Sequence, residues 1–241
     1  RRTGKTSLVL TTLNELGVPY VFIDVREVVR SRRGLYVVLS RALGDFLRRY
    51  SPLKALVGGV VDALRSVRGV SISGLEISLN WGRNRPLLTE LFRELDRVAG
   101  DVGVRLIIVI DEAQRLSGSL GVEVWSSVAH AYDFLENMVF VISGSEMGVL
   151  GSILSNPESP LFGRAYAEVV TGRLSRGKSL EFLRRGFSEV GLEISEDELE
   201  EAVDRLDGII GWLTYYGYSR STGGRDLDSI ISDAIAMAKQ E

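Results

Sequence analysis

Arg1-Arg2-Thr3-Gly4-Lys5-Thr6-Ser7-Leu8 opens the chain, and it carries the second half of the pattern G-x-x-x-x-G-K-[ST]. That half holds most of the chemistry. Successive backbone N–H groups around Gly4, Lys5 and Thr6 can wrap a phosphate at the positive end of the helix that follows. Lys5 can reach β- and γ-phosphates, and the Thr6 hydroxyl can ligate magnesium. Arg2, Thr3, Gly4, Lys5, Thr6 and Ser7 are therefore the candidate nucleotide-binding set. The pattern's first Gly and the strand that should feed the loop are not in this sequence. The expectation is a fragment of a longer protein, whose loop binds nucleotide poorly without them.

Working outward, Leu106-Ile107-Ile108-Val109-Ile110-Asp111-Glu112 reads as a buried strand delivering two carboxylates at its C-terminal end. Ligands sit at that end in open α/β sheets. Beside a phosphate loop, Asp111 would hold the Mg²⁺ shell, and Glu112 is the candidate general base for an attacking water. Met138–Ile142 reads as another strand, ending in Ser143-Gly144-Ser145. Ser143 can contact the γ-phosphate or orient the water there; a plain turn is the equal alternative.

The remaining patterns predict a helix over Thr6–Leu16, a strand at Tyr20–Asp24, and helices at 34–50, 52–67, 86–99 and 121–135. A hairpin is expected over 70–79 and a further strand at Ala165–Val170. Strands alternating with helices predict an α/β fold, a P-loop NTPase-type parallel sheet flanked by helices. From about 174 the signal is helical only, with Ser195 and Glu198 fitting a capping box. The expected division is an α/β core over 1–173 and a helical lid over 174–241.

Composition narrows the function. The chain has no Cys and one His, which excludes disulfides and thiol–metal sites. A net charge of −3 argues against a uniformly basic nucleic-acid binder, though not against a local patch. No apolar run reaches membrane-spanning length, and the cytoplasm is the expected location. The arginines of 26–49 (Arg26, Arg30, Arg32, Arg33, Arg41, Arg48, Arg49) read as a solvated face, with a nucleic-acid face as the alternative.

One complete match to the phosphate-loop pattern lies elsewhere, at Gly172-Arg173-Leu174-Ser175-Arg176-Gly177-Lys178-Ser179. Using it would require a permuted core. Glu168 interrupts the strand expected before it, and no apolar strand follows Lys178. It reads as the connection into the helical part.

Together the first eight residues, Val109-Ile110-Asp111-Glu112-Ala113-Gln114 and Val141-Ile142-Ser143-Gly144-Ser145 resemble the archaeal ATPase family, in the STAND branch of AAA+-related P-loop NTPases. Ser159–Ala165 looks like its post-sensor segment, 174–183 like the start of its lid, and Gly208–Gly217 like its lid motif. The resemblance implies ATP and Mg²⁺ binding and slow hydrolysis used as a switch. It implies a winged-helix domain after the lid, and a protein or DNA partner engaged by regions outside this chain; oligomerisation is left open. It also implies an arginine-finger role for Arg164, against a surface ion pair. Ile210 stands where the lid motif usually carries Pro. Trp212, Tyr215 and Tyr216 lie at helical spacing and read as core, with adenine stacking by Trp212 as the alternative. Two other functions stay open: a nucleotide-gated binding module without turnover, and an initiator-like DNA-binding ATPase.

Overall fold

The structure is a computed structural model and describes residues 2–26, 31–145, 151 and 153–240. Arg1 and Arg30 lie outside them. The chain divides into two compact units: Val9–Tyr166, and Ala167–Glu241 together with Arg1–Leu8. The division falls inside the first helix, α1 (Lys5–Leu16).

The α/β unit is built on a parallel sheet of β1 (Tyr20–Asp24), β4 (Leu106–Asp111) and β5 (Met138–Ile142), in the order β1-β4-β5. β4 is central because it is apolar on both faces. Its Leu106, Ile108 and Ile110 join the large core built with α2 (Arg32–Arg49), α3 (Lys54–Ser66), α4 (Leu88–Val102) and α5 (Gly118–Phe134). Val109, with Ile107 beside it, joins Leu13, Val9 and Leu10 of α1 on the other face. Helices thus flank both faces, as the alternating pattern requires. The register pairs Asp24 with Asp111 and Ile110 with Ile142, so the strand ends carrying polar side chains lie side by side.

The hairpin forms from β2 (Val70–Ser73) and β3 (Glu76–Leu79). Its Val70, Ile72, Ile77 and Leu79 pack on the large core, and the Leu79 N–H donates to Ser40 Oγ of α2 at 3.0 Å.

The helical unit holds α6 (Arg176–Glu189), α7 (Glu196–Leu206), α8 (Ile210–Gly223) and α9 (Leu227–Ala238). Leu183, Phe187, Ala202, Leu213, Tyr216 and Ile230 fill its core. Ser175, Ser195 and Asp226 cap α6, α7 and α9 with side-chain oxygens. Only half of the expected capping box forms. Ser195 Oγ accepts from the Glu198 N–H, whereas the Glu198 carboxylate accepts from Tyr216 and Arg220.

The expected strand at Ala165–Val170 is a correction: those residues carry no regular structure. A strand needs a neighbour for its backbone groups. Val169 and Val170 instead stand 78% and 65% exposed, with no sheet partner among the described residues.

Candidate functional site

Predicted site residues fall in two clusters, one in each unit. In the α/β unit, β4 ends at Asp111, 1% exposed. Ser143 Oγ donates to Asp111 Oδ1. The backbone laces the strand ends together: the Ser143 N–H donates to Ile110 O at 2.9 Å, Ala113 N–H to Ser143 O at 2.9 Å, and Val25 N–H to Asp111 O at 3.2 Å. Glu112 takes a left-handed backbone, φ 57°, which costs a non-Gly residue about 1–2 kcal/mol. That reversal turns the chain into a 3-10 turn, Ala113–Arg115. The Glu112 carboxylate is then held by Ser145 Oγ at 3.0 Å and by Gln114 Nε2. Gln114 Oε1 is buried and has no partner among the described residues.

Arg26 lies at the end of β1 and grips Asp24 through Nε at 3.0 Å and Nη2 at 2.6 Å. Burial pushes the Asp24 carboxyl up, but the Arg26 side chain and N–H outweigh it, so it lies below its ordinary value. Arg26 is held charged by Asp24 first, and further by the fields of Asp111 and Glu112. Sequence reasoning missed Asp24, Gln114 and Ser145 as parts of this cluster. Their signal was position: each lies at or just beyond a strand's C-terminal end.

The second cluster joins residues 2–5 to the helical unit. The Gly211 N–H donates to Arg2 O at 2.9 Å. The Arg2 guanidinium lies 4.0 Å from the centroid of the Trp212 ring. Thr3 Oγ1 and Thr171 Oγ1 share a hydrogen bond of 2.9 Å, and Lys5 Nζ donates to Thr3 Oγ1 at 3.4 Å. Gly4 has φ +74°, and an added Cβ would come within 3.1 Å of Ile210 Cγ2. A side chain there would suffer both strain and crowding. The first turn of α1 starts at once, with Leu8 N–H donating to Gly4 O at 2.8 Å, so the amide-bearing end of the helix falls on Lys5, Thr6 and Ser7. Trp212 is 8% exposed and belongs to the helical core. Adenine can stack on the ring face under Arg2 only if Arg2 leaves it.

Arg164, the remaining predicted residue, lies in the α/β unit outside the Asp111 cluster. It is paired with Asp133 through Nε at 3.1 Å and also donates to Pro160 O. It bonds to none of Asp111, Glu112 or Ser143.

The second pattern match, 172–179, lacks a phosphate loop's geometry. Gly177 and Lys178 already lie in α6. Lys178 Nζ is paired with Glu181 at 2.8 Å, and Ser179 is fully buried, its hydroxyl turned into the unit.

Among the described residues no group of three or more His, Cys, Asp and Glu could hold a metal alone. Mg²⁺ keeps waters and substrate phosphates as ligands and needs only one or two protein oxygens. Within the α/β unit the Asp111 carboxylate is an oxygen donor suited to such an ion, and Gln114 Oε1 can accept from a water.

A parallel sheet with flanking helices, acidic strand ends and a Gly-Lys-Thr turn opening a helix define a P-loop nucleoside triphosphatase fold. The model of the AAA domain family matches residues 1–149, and the chain belongs to that family of P-loop ATPases. Among solved structures it is similar to the Walker-type ATPase PABY2304 of Pyrococcus abyssi, at 33% identity and a TM-score of 0.76. That likeness covers 100% of this chain and 65% of the relative. A likeness to a mutant RuvB of Thermotoga maritima (15% identity, TM-score 0.38, 98% of this chain and 68% of that one) carries no argument. No curated protein matches the chain.

Proposed function

We propose that the chain is a Mg²⁺-dependent ATP-binding and ATP-hydrolysing switch of the archaeal, STAND-branch type, acting in the cytoplasm. The observation that carries the reading is the attachment of Arg2 and Gly4 to α8, through Gly211, Trp212 and Ile210. A phosphate at Gly4-Lys5-Thr6 acts on the same few residues that contact the helical unit. Nucleotide state then sets the orientation of that unit, which a protein or DNA partner reads.

The roles follow from chemistry. Backbone amides from Gly4 to Ser7, with Arg2 and Thr3 leading into them, cradle the phosphates, and Lys5 neutralises charge on them. Thr6 and Asp111 would hold Mg²⁺, which supplies Lewis-acid charge to the phosphate oxygens when bound. Ser143 fixes the Asp111 carboxylate and senses the γ-phosphate. Glu112 takes a proton from water as the water oxygen bonds to the γ-phosphorus and the bond to ADP breaks. Arg164, once released from Asp133, stabilises charge on the transferring group.

The hydrogen bonds that Ser145 and Gln114 make to Glu112 favour one second reading, a nucleotide-gated module without turnover. Both engage lone pairs of the carboxylate that a general base would turn to water. Glu112→Gln in the full-length protein separates the two. In a hydrolytic switch it lowers the rate by about 10²–10⁴-fold while ATP binding persists. Unchanged turnover removes Glu112 from the mechanism, and absence of turnover in the parent favours the gated module.

A further inference from the structure

The segment 80–86 joins β3 to α4 and carries Trp81, 50% exposed. The segment is firmly held. Its Asn80 N–H donates to Gly69 O at 2.8 Å, its Arg85 N–H to Gly82 O at 3.2 Å, and its Gly82 N–H to Asn80 Oδ1 at 2.8 Å. Tyr36 Oη of α2 donates to Pro86 O at 2.7 Å. Arginines lie in this segment and in the elements bonded to it. Arg33 of α2 lies 5.4 Å from the Trp81 ring centroid. Arg68 donates to Asn84 of the same segment. Arg83 is exposed beside it. Arg32 and Arg85 share Glu123, each at 3.4 Å. Arg33, Arg68 and Arg83 have no carboxylate partner among the described residues.

The chain's net charge is −3, so this positive face is a local arrangement and not bulk composition. Arg33 lies over one face of this half-exposed indole, and the other face, on a braced loop, is offered at little ordering cost. A guanidinium over the indole, with Arg68 bonded to Asn84 and Arg83 two residues on in the chain, suits phosphates spaced along a strand. A duplex hides its base faces in the stack, and an acidic peptide would engage the arginines but leave the indole unused. We propose that this face binds single-stranded nucleic acid. Trp81 stacks on one unpaired base, while Arg33, Arg68 and Arg83 meet the flanking phosphates. The proposal goes beyond ATP binding and does not depend on it.

The test is fluorescence anisotropy of a labelled oligothymidylate against the whole protein across a salt series. Intrinsic fluorescence serves as a second readout, because Trp125 and Trp212 are buried at 4% and 8% exposure. We expect salt-dependent binding with quenching of Trp81. Trp81→Ala should weaken binding about ten-fold, and Trp81→Phe should restore most of it. Arg33→Ser, Arg68→Ser and Arg83→Ser together should reduce the slope of log K against log salt by about 2. Circular dichroism should be unchanged in all variants, since each position lies at the surface. Equal binding by Trp81→Ala, full competition by duplex of the same length, or displacement by polyglutamate at matched charge would each overturn the proposal.

Discussion

The two clusters are held in physically different ways. Asp111 ends a strand paired on both sides and buried on both faces, and its neighbours Ile108 and Val109 are at most 1% exposed. Removing one such side chain to Ala costs about 2–5 kcal/mol, so the carboxylate end of β4 moves only if the sheet does. Arg2 and Thr3 are held to the helical unit by one backbone hydrogen bond, one hydroxyl pair and one stacked guanidinium. Each contributes about 0.5–2 kcal/mol. A ligand whose affinity for two arrangements differs by a few kcal/mol can remake those bonds, but it cannot remake β4. The proposed roles follow that difference, with chemistry assigned to the rigid cluster and switching to the weakly tied one.

The largest expected effect separates the two lysines of the two pattern matches. Lys5→Ala should lower ATP affinity about 10–100-fold, the loss of a charge-assisted contact. Lys178→Ala should leave it unchanged, because that ammonium is surface-paired with Glu181. Titration with a fluorescent ATP analogue reads both. Loss in Lys178→Ala alone would move the site and undo the comparison.

Next comes the rigid cluster. Ser143→Ala removes the hydroxyl that holds Asp111 Oδ1. A ligand's supporting hydrogen bond is commonly worth about 10-fold or more in metal affinity or activity. The Mg²⁺ concentration for half-maximal turnover should rise by about that factor, with ATP affinity measured without metal unaffected. If turnover falls with no change in Mg²⁺ dependence, Ser143 acts on phosphate or water and not through Asp111.

That cluster was partly legible in sequence. A strand-length apolar run ending in Asp111-Glu112 reads as a buried strand, and β1 and β5 form with the expected bounds, although β5 is fully buried only at Met138. Ala165–Val170 misled because a short apolar run signals burial without supplying the neighbour that a strand requires. The bonds around Glu112 were hidden because side-chain partners depend on register, which local pattern does not encode. Trp212 under Arg2 was hidden for a stronger reason: the two residues stand at opposite ends of the chain.

The weakly tied cluster is tested at Gly211. A Cβ there would lie 2.6 Å from Arg2 Cβ and 2.8 Å from Arg2 O, so Gly211→Ala should cost about 1–3 kcal/mol or expel Arg2 from Trp212. Gly217 in the same helix meets nothing within 4 Å, and Gly217→Ala should stabilise by about 0.5–1 kcal/mol. Urea unfolding compares them, and Trp fluorescence reports whether Arg2 still covers the ring. If both variants behave alike, the attachment is not a distinct element and the contrast between the clusters fails.

The smallest effect concerns acid. Within the helical unit, Glu198 accepts from Arg220 Nε at 2.8 Å and from Tyr216 Oη at 2.8 Å. The Arg220 guanidinium holds its carboxyl below the ordinary 4.5, burial opposing and Tyr216 assisting. A depressed carboxyl stabilises the fold above its unfolded value, and that contribution disappears as pH falls through the folded value. The window therefore lies below about pH 4.5. Partial exposure and screening keep the effect within about 1 kcal/mol. Hydrogen exchange of α7 and α8 amides in the parent should quicken in that window relative to β4, whereas Glu198→Gln should be weaker at neutral pH and flatter in acid. A variant as pH-sensitive as the parent would place the acid sensitivity elsewhere, with Asp24, which burial pushes up but Arg26 holds below its ordinary value, as the next group to titrate.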